Sequence, residues 1–346
     1  MLFRRGIVNL LCGKRSRYTV SRYSASAFNK NNNLPHHREV PEMIQRLDEY
    51  VERQRYRALN SVLIYKGDRI VLERYYNRYD ENSRHHLKSI WKSILSVCCG
   101  IAIDKGLIKS VDEPIAAYLP VFDGRANPYH PMITVKHLLT MSSGIYWDGG
   151  VKHHCPMMEQ FNRAGNRIEY ISDIKMDAVP GTVFLYKEWD VILLSALLSA
   201  ASGMNPFDFC SEYLYKPLGI ESGRWFTFPD GVCYNIGTTP AEQAESNLSA
   251  RDLAKIGLLF KNGGKWNKEQ IVSGGYIREA ITPHRQGYGY LWWLYDDGYG
   301  CMGYGGQQVR VIPEHDIVYV LQATALRSPR NYDDVVKEAL RNNIVK

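Results

Sequence analysis

The sequence predicts a mixed fold of the α/β (α+β) type, with one antiparallel sheet built from both ends of the chain and a mostly helical insertion between them. Two observations predict the sheet. Residues 61–65 and 69–75 are β-rich runs around the turn residues 66–68, a pattern typical of a hairpin. Four short aromatic and β-branched runs lie near the other end of the chain, at residues 288–295, 299–304, 308–312 and 317–323.

A third observation concerns the helices. Residues 89–282 carry mostly helical periodicity, interrupted by Pro and Gly. A further helix is predicted from Pro41 to about Tyr56, because its apolar residues recur at helical spacing and proline suits a first turn. The run from Asn331 to Ile344 is predicted to close the chain as a helix.

The chain is predicted to divide into a basic leader, residues 1–38, and one domain, residues 39–346. Within this domain the sheet is expected from about 58–80 and 285–325, around a helical insertion at about 106–282. The leader has no acidic residue and eight basic ones, Arg4, Arg5, Lys14, Arg15, Arg17, Arg22, Lys30 and Arg38. A disordered leader on a cytoplasmic protein and a mitochondrial transit peptide both fit this composition.

Charge, hydropathy and cysteine content exclude several classes of function. The chain beyond the leader has 35 basic and 36 acidic residues, so a nucleic-acid partner has no electrostatic support there. The chain contains no run of 18 apolar residues, so the sequence predicts no integral membrane segment. The seven cysteines form no CxxC pair, which fits a reducing compartment. No metal site is expected, because the neighbouring ligands His85-His86 and His153-His154-Cys155 cannot easily face one ion.

The clearest chemical motif is Ser89-Ile90-Trp91-Lys92, at the start of an apolar helical run in which Cys98 and Cys99 are expected to fill the core. Residues i and i+3 share a face of the first helical turn, so the Lys92 amine can reach the Ser89 hydroxyl. The helix N-terminus favours an oxyanion beside the serine. A desolvated lysine among apolar neighbours can act as the base that a nucleophilic serine needs.

A second Ser-x-x-Lys match spans Ser172 to Lys175. It follows Glu169-Tyr170-Ile171 rather than preceding an apolar helical run. We predict that it is a helix cap with an exposed lysine, so only the first match has surroundings suited to catalysis.

Five stretches resemble, in order, the serine β-lactamase and DD-peptidase superfamily: "SIWKSILSVCCGIAIDKGLI", "SVDEPIAAYLP", "ITVKHLLTMSSGI", "PGTVFLY" and "SARDLAKIGLLF". The resemblance runs from about residue 58 to 325 and is closest to the class C-like esterases, amidases and amide-oligomer hydrolases. It implies a covalent serine hydrolase that has a mixed α/β domain plus a helical domain and uses no cofactor.

By this resemblance Ser89 is the nucleophile, Lys92 accepts its proton, and Tyr186 relays the proton to the leaving group. The backbone N–H groups of Ser89 and Tyr304 form the oxyanion hole. The family's second motif has an asparagine two places after its tyrosine, and this chain has Glu188 there instead.

The third motif of the family is normally Lys or His, one residue, then Gly. This chain has "GYGGQ" at 303–307, which is similar to the Gly-x-Gly-Gly-Gln form of the amide-oligomer hydrolases. Gly303, Gly305 and Gly306 are therefore candidates for the substrate cleft, together with Glu188 and Trp147. Trp147 either walls the cleft or is a buried structural residue.

Three further features have structural interpretations. Residues 298–303 match Gly-x-Gly-x-x-Gly, but a strand rather than a helix is predicted to follow, which disfavours dinucleotide binding. His137 is predicted to be buried and hydrogen-bonded. Asp252 is predicted to be a first-turn acid after the Ser249 helix cap.

The sequence thus predicts a hydrolase that cleaves a small-molecule ester or amide through an acyl-enzyme, without cofactor or metal. The alternative is a non-catalytic binding or scaffold protein with the same fold, which the altered second and third motifs favour. The oligomeric state is left open.

Glu188 has two possible orientations. In an extended segment residues 186 and 188 point the same way, which would bring the carboxylate near Tyr186 and Lys92. It would then raise the pKa of both groups and shift the activity profile to alkaline pH. If Glu188 instead points outward, it caps the helix that begins near Trp189.

Overall fold

A computed structural model describes residues 39–149, 156–234, 247–325 and 331–341 of the protein. The strands in this part of the chain are β1 (Leu59–Lys66), β2 (Arg69–Tyr75), β3 (Arg84–His86), β4 (Asn247–Ser249), β5 (Lys265–Trp266), β6 (Glu269–Gln270), β7 (Trp293–Tyr295), β8 (Gly298–Gly303), β9 (Gln307–Ile312) and β10 (Ile317–Ala323).

The helices described are α1 (Glu39–Arg53), α2 (Ile90–Asp104), α3 (Val135–Leu139), α4 (Pro156–Arg163), α5 (Arg167–Ser172), α6 (Trp189–Ser202), α7 (Pro206–Cys210), α8 (Lys216–Leu218), α9 (Ala250–Lys261), α10 (Gly274–Ala280) and α11 (Asp333–Arg341). A π-helical turn, Ser211–Tyr215, joins α7 to α8.

The central sheet has six antiparallel strands in the order β2-β1-β10-β9-β8-β7. Strand β1 pairs with β10 in a register that places Leu63 opposite Val320, so the two ends of the chain form the middle of one sheet. The predicted fold class is therefore confirmed: an antiparallel sheet from both chain ends, with mostly helical structure between them.

Helices cover both faces of this sheet. On one face Leu63 and Val320 join the main core with residues of α2, α6 and α9. On the other face Val62 and Leu321 join a second core with residues of α1 and α11. The alternation of neighbouring residues between two cores follows from the two-residue period of a strand. The helix that carries Ser89 thereby lies against the inner face of the sheet.

Two local predictions were wrong. The strand predicted over 288–295 is present only at Trp293–Tyr295. Leu291 has a left-handed φ of 60°, and its N–H donates to the carbonyl of Leu139, so the chain turns there instead of continuing a ladder. Buried tyrosine and tryptophan side chains in this segment give it the composition of a strand without the conformation.

The second error concerns Ser172, which ends α5 rather than capping a following helix. Asn166 is the N-cap, because its side chain accepts the Glu169 N–H. The Ser172 hydroxyl donates to the Glu169 carbonyl, and Lys175 is exposed as predicted. This second Ser-x-x-Lys match therefore has no helix N-terminus at its serine.

Several smaller predictions are confirmed. Residues 298–303 form strand β8 and lead into β9, so the glycines do not open a helix. His137 is hydrogen-bonded as predicted, as part of the Thr134 cap of α3, but it is half-buried rather than buried, and the Asp252 N–H donates to Ser249 at the start of α9. Cys98 and Cys99 are buried. The leader and His153-His154-Cys155 lie outside the described residues.

Membrane-spanning length was also considered for the described helices. None of them is both long and apolar enough by itself to cross a bilayer. One bent pair, Trp189–Ser202 with Pro206–Leu218, reaches the required length and hydropathy together.

Candidate active site

Ser89 stands at the N-cap of α2, directly after a strained residue. Lys88 has a left-handed φ of 51°, so the chain turns sharply between β3 and the helix. Ile90, Trp91 and Ile94 are fully buried and anchor the first turns of α2 in the core. Ser89 itself is half-buried, which leaves its hydroxyl at the surface of a rigid element.

Lys92 lies one turn further along the same helix, as the spacing predicts. Its Nζ is 3.2 Å from Ser89 Oγ. The same Nζ is 2.8 Å from each carboxylate oxygen of Glu188. The side chains of Lys92 and Glu188 are 1% and 0% exposed, so this ion pair is shielded from solvent.

Tyr186 comes from the segment that precedes α6. Its hydroxyl interacts with the Ser89 hydroxyl and the Lys92 amine, and both interactions lower the pKa of Tyr186. Its ring centre is 5.2 Å from Lys92 Nζ and stacks on Trp293 of β7, with 5.6 Å between centroids. Ser89, Lys92 and Tyr186 therefore converge, as predicted, although they come from two distant parts of the chain.

The electrostatics of the three groups are coupled. Burial alone would lower the pKa of Lys92, but the charges of Glu188 and Tyr186 outweigh it, so the pKa is raised. The pKa of Tyr186 is also raised, mainly by burial, and Glu188 adds to this while Lys92 opposes it. Lys92 is thus held as an ammonium ion beside a neutral tyrosine.

Glu188 points inward, so the first of its two orientations is confirmed. Its side chain makes no cap hydrogen bond to α6, although it stands at the N-cap position. Because it has no exposed surface, it lies beneath Lys92 and not on the open wall of a cleft. An alkaline activity profile was expected from this orientation, on the assumption that Lys92 is the final acceptor of the Ser89 proton. That profile stays a prediction.

The end of β8 lies against the turn before Ser89. A Cβ atom at Gly303 would be 2.6 Å from the Leu87 carbonyl oxygen and 3.0 Å from Lys88 Cβ, so only glycine allows this approach. Tyr304 follows directly and is 39% exposed. This placement brings the Tyr304 backbone to the region of Ser89, and its part in an oxyanion hole stays a prediction.

Gly305 and Gly306 form the turn between β8 and β9, both with positive φ. A side chain at Gly305 would collide with Ala325, and one at Gly306 with the ring of Tyr332. Their backbone is therefore required for the turn and for packing towards the C-terminal end of the chain. Their contact with substrate stays a prediction.

Trp147 is 6% exposed, and its ring meets that of Trp189 edge to face at 4.9 Å. This burial favours the structural alternative for Trp147, and its role in the cleft stays a prediction.

One feature of the site, and one ion pair beside it, were missed by sequence reasoning. The first is Trp293, which stacks on Tyr186. The second is the ion pair between Lys187 and Asp190, whose N–O distance is 3.2 Å. Opposite charges three residues apart beside an apolar helical run were a signal for this pair. No comparable signal existed for Trp293, because only the fold brings it to Tyr186.

This arrangement provides the parts of nucleophilic catalysis. A serine hydroxyl lies at a helix N-terminus, in hydrogen-bond contact with an amine and close enough to a phenol to affect its pKa. The carboxylate beneath the amine is an additional charged group. Together the fold and these contacts define the serine β-lactamase and DD-peptidase class of proteins.

Comparison with known proteins agrees with this class. The family model described as Beta-lactamase matches residues 43–341, so the chain belongs to that family and is a hydrolase. Among curated relatives, the 6-aminohexanoate-dimer hydrolase of Paenarthrobacter ureafaciens is 23% identical over 317 residues, covering 81% of this chain and 74% of the relative.

Two solved structures share the fold. The octameric penicillin-binding protein homologue from Pyrococcus abyssi superposes with a TM-score of 0.66 at 20% identity, covering 86% of this chain and 77% of that one. EstCE1, a hydrolase with promiscuous acyltransferase activity, superposes with a TM-score of 0.63 at 15% identity, covering 89% and 98%. At these identities the likeness concerns the fold alone.

Proposed function

We propose that the protein is a serine hydrolase that cleaves a small-molecule ester or amide through a covalent acyl-enzyme. The observation that carries this proposal is the contact of Ser89 Oγ with Lys92 Nζ at 3.2 Å, on the first turn of a buried helix. The name of one relative supports a hydrolytic reaction, since the Paenarthrobacter ureafaciens protein is a 6-aminohexanoate-dimer hydrolase.

In the proposed reaction Ser89 Oγ attacks the substrate carbonyl and gives up its proton to Lys92. The backbone N–H groups of Ser89 and Tyr304 stabilise the oxyanion that forms. Tyr186 then protonates the leaving group as the tetrahedral intermediate collapses to the acyl-enzyme. Water then hydrolyses the acyl-enzyme and releases the acid. In this half of the reaction the proton donor and the proton acceptor exchange roles.

Labelling with a fluorophosphonate probe, followed by peptide mapping, tests this proposal. We expect the folded protein to be modified at Ser89 and S89A to lose both labelling and ester turnover by at least about 10³-fold. The matched control is S172A, which removes the serine of the second Ser-x-x-Lys match and should leave labelling and turnover unchanged.

Two results would contradict the proposal. One is a folded, fluorophosphonate-accessible protein in which Ser89 stays unmodified. The other is an S89A variant that turns over small acyl esters at the wild-type rate, which would favour the binding or scaffold alternative.

A further inference from the structure

Ser89, Lys92 and Glu188 form a continuous chain of contacts that leads away from the substrate side. Lys92 Nζ lies between Ser89 Oγ, at 3.2 Å, and the Glu188 carboxylate oxygens, at 2.8 Å. Both contacts are within the range in which a proton can be passed directly. Glu188 has no exposed surface and Lys92 has 1%, so bulk water does not compete well as the acceptor.

The ion pair creates a difficulty for a mechanism in which Lys92 acts alone. An ammonium ion has three N–H donors and no lone pair, so it cannot accept the Ser89 proton. Lys92 must first release a proton of its own. The carboxylate at 2.8 Å is a proton acceptor that already touches the amine.

We propose that Glu188 is the final acceptor of the Ser89 proton during acylation, with Lys92 passing the proton on. This inference rests on the proposed function of Ser89. As the Ser89 O–H bond breaks and the Oγ–carbonyl carbon bond forms, Lys92 Nζ takes the serine proton and gives one of its own to Glu188. Lys92 begins and ends as ammonium, Glu188 becomes a neutral carboxylic acid, and the carbonyl electron pair moves to the oxyanion.

Protons and charges also balance in the second half of acylation. When the intermediate collapses, the bond to the leaving group breaks, and the leaving atom takes the Tyr186 hydroxyl proton. Glu188 then returns its proton through Lys92 to Tyr186, whose hydroxyl contacts both Lys92 and Ser89. The site regains its starting charges without any outside reactant.

The competing role for Glu188 is that of a fixed counter-ion. In that case catalysis waits for Lys92 to lose its proton to solvent, and the raised pKa of Lys92 places the acidic limb of the activity profile at high pH. In the relay, acylation does not wait for Lys92 to lose a proton to solvent. Removing the carboxylate therefore shifts the acidic limb to lower pH if Glu188 is a counter-ion, and to higher pH if Glu188 is the proton acceptor of the relay.

Other ionisable groups near Glu188 come from three elements. Lys92 belongs to α2, Tyr186 precedes α6, and Tyr288 precedes β7 and is affected electrostatically by Glu188. On α6 itself, Asp190 is paired with Lys187. Tyrosines ordinarily titrate near pH 10, so Lys92 and Glu188 are the groups expected to govern an acidic limb.

The test measures the acylation rate of E188Q against pH in single turnover, with p-nitrophenyl butyrate as substrate. Its leaving group departs as an anion, so the Tyr186 step does not enter the measurement. The relay predicts that the acidic limb of E188Q moves upward by at least about one pH unit, because the lysine must now lose its own proton before it can act. A limb that stays in place or moves to lower pH overturns the relay.

A second readout shows how many protons move in the transition state of acylation. In mixtures of H₂O and D₂O the relay predicts a curved dependence of the wild-type acylation rate, since two protons move together, and a linear one for E188Q. A linear dependence in both proteins overturns it. D190N is the matched control, since it removes the carboxylate of the neighbouring buried pair and should keep the wild-type limb and curvature.

E188D covers the case in which E188Q does not fold. It keeps the carboxylate one methylene further away, so the relay predicts a slower reaction with the wild-type acidic limb. A limb shifted to lower pH in E188D overturns the relay. Failure of the proposed function is separate, because it would show as turnover by S89A, whereas failure of the relay leaves Ser89 essential and labelled by the fluorophosphonate.

Discussion

Two buried ion pairs lie side by side in this protein. Lys92 pairs with Glu188, and Lys187 pairs with Asp190, and all four side chains are at most 1% exposed. Three of the four residues fall within positions 187–190, at the start of α6, and the fourth, Lys92, lies on α2. Such burial is costly for any charge that lacks a partner.

The pairs differ in what else they touch. Lys92 and Glu188 are 96 residues apart, and their lysine reaches Ser89 Oγ and Tyr186. Lys187 and Asp190 are three residues apart, and their carboxylate accepts from the hydroxyl and N–H of Ser143. The comparison teaches that burial of an ion pair does not by itself indicate catalysis. The neighbouring group decides whether the pair can move a proton or only hold two segments together.

The largest difference is expected when each lysine is replaced by methionine, which is similar in length but uncharged. K92M should lower kcat/KM by at least about 10³-fold, because Ser89 loses its proton acceptor. It should also destabilise the fold by about 3–5 kcal/mol, since Glu188 is left as a buried charge. Steady-state kinetics and urea unfolding measure the two effects, and wild-type kinetics in folded K92M would refute the assignment.

K187M is predicted to separate stability from activity. Asp190 loses its counter-ion, so the free energy of unfolding should fall by about 3–5 kcal/mol, much as in K92M. The folded fraction should keep kcat/KM within about 10-fold of wild type, because the side chains of this pair contact each other and Ser143 in the described residues. A loss of activity as deep as that of K92M, at equal folded fraction, would show that the two pairs do not differ in the way described.

The double replacement K187M/D190L should recover at least half of the stability lost in K187M. Removing both charges avoids the uncompensated carboxylate, and apolar substitutes for a buried pair are often neutral or stabilising by about 1–4 kcal/mol. The Ser143 N–H and hydroxyl lose their acceptor, which limits the recovery. Urea unfolding of the single and double variants gives the coupling energy directly, and strict additivity would argue against a specific pair.

The smallest effect is expected from S143A. Its hydroxyl donates to Asp190 Oδ1 at 2.5 Å and accepts from the Ile145 N–H. A hydrogen bond to a charged group contributes about 1.5–3 kcal/mol, so the melting temperature should fall measurably while the pH profile of activity stays unchanged. A shifted acidic limb in S143A would connect this pair to the catalytic chemistry after all.

Local rules account for the part of the site that was predicted. Ser89 and Lys92 are neighbours because residues i and i+3 share a face in the first turn of any helix. Glu188 faces Lys92 together with Tyr186, as predicted, but the alternation assumed for this prediction does not explain it, because the backbone of Glu188 is helical (φ −85°, ψ −29°) rather than extended. The hairpin and the strands at the far end were predicted because alternation and turn residues are visible over a few positions.

Tertiary structure decided where local signals were weak or misleading. Residues 288–292 have strand composition, yet Leu291 turns the chain because its N–H bonds to Leu139, 152 positions away. The stack of Trp293 on Tyr186, the approach of Gly303 to Leu87 and the direct contact between Lys92 and Glu188 all join segments distant in sequence. A sequence pattern records which face a residue shares with its near neighbours, but which distant group fills the space beside it depends on how the helices and the sheet pack.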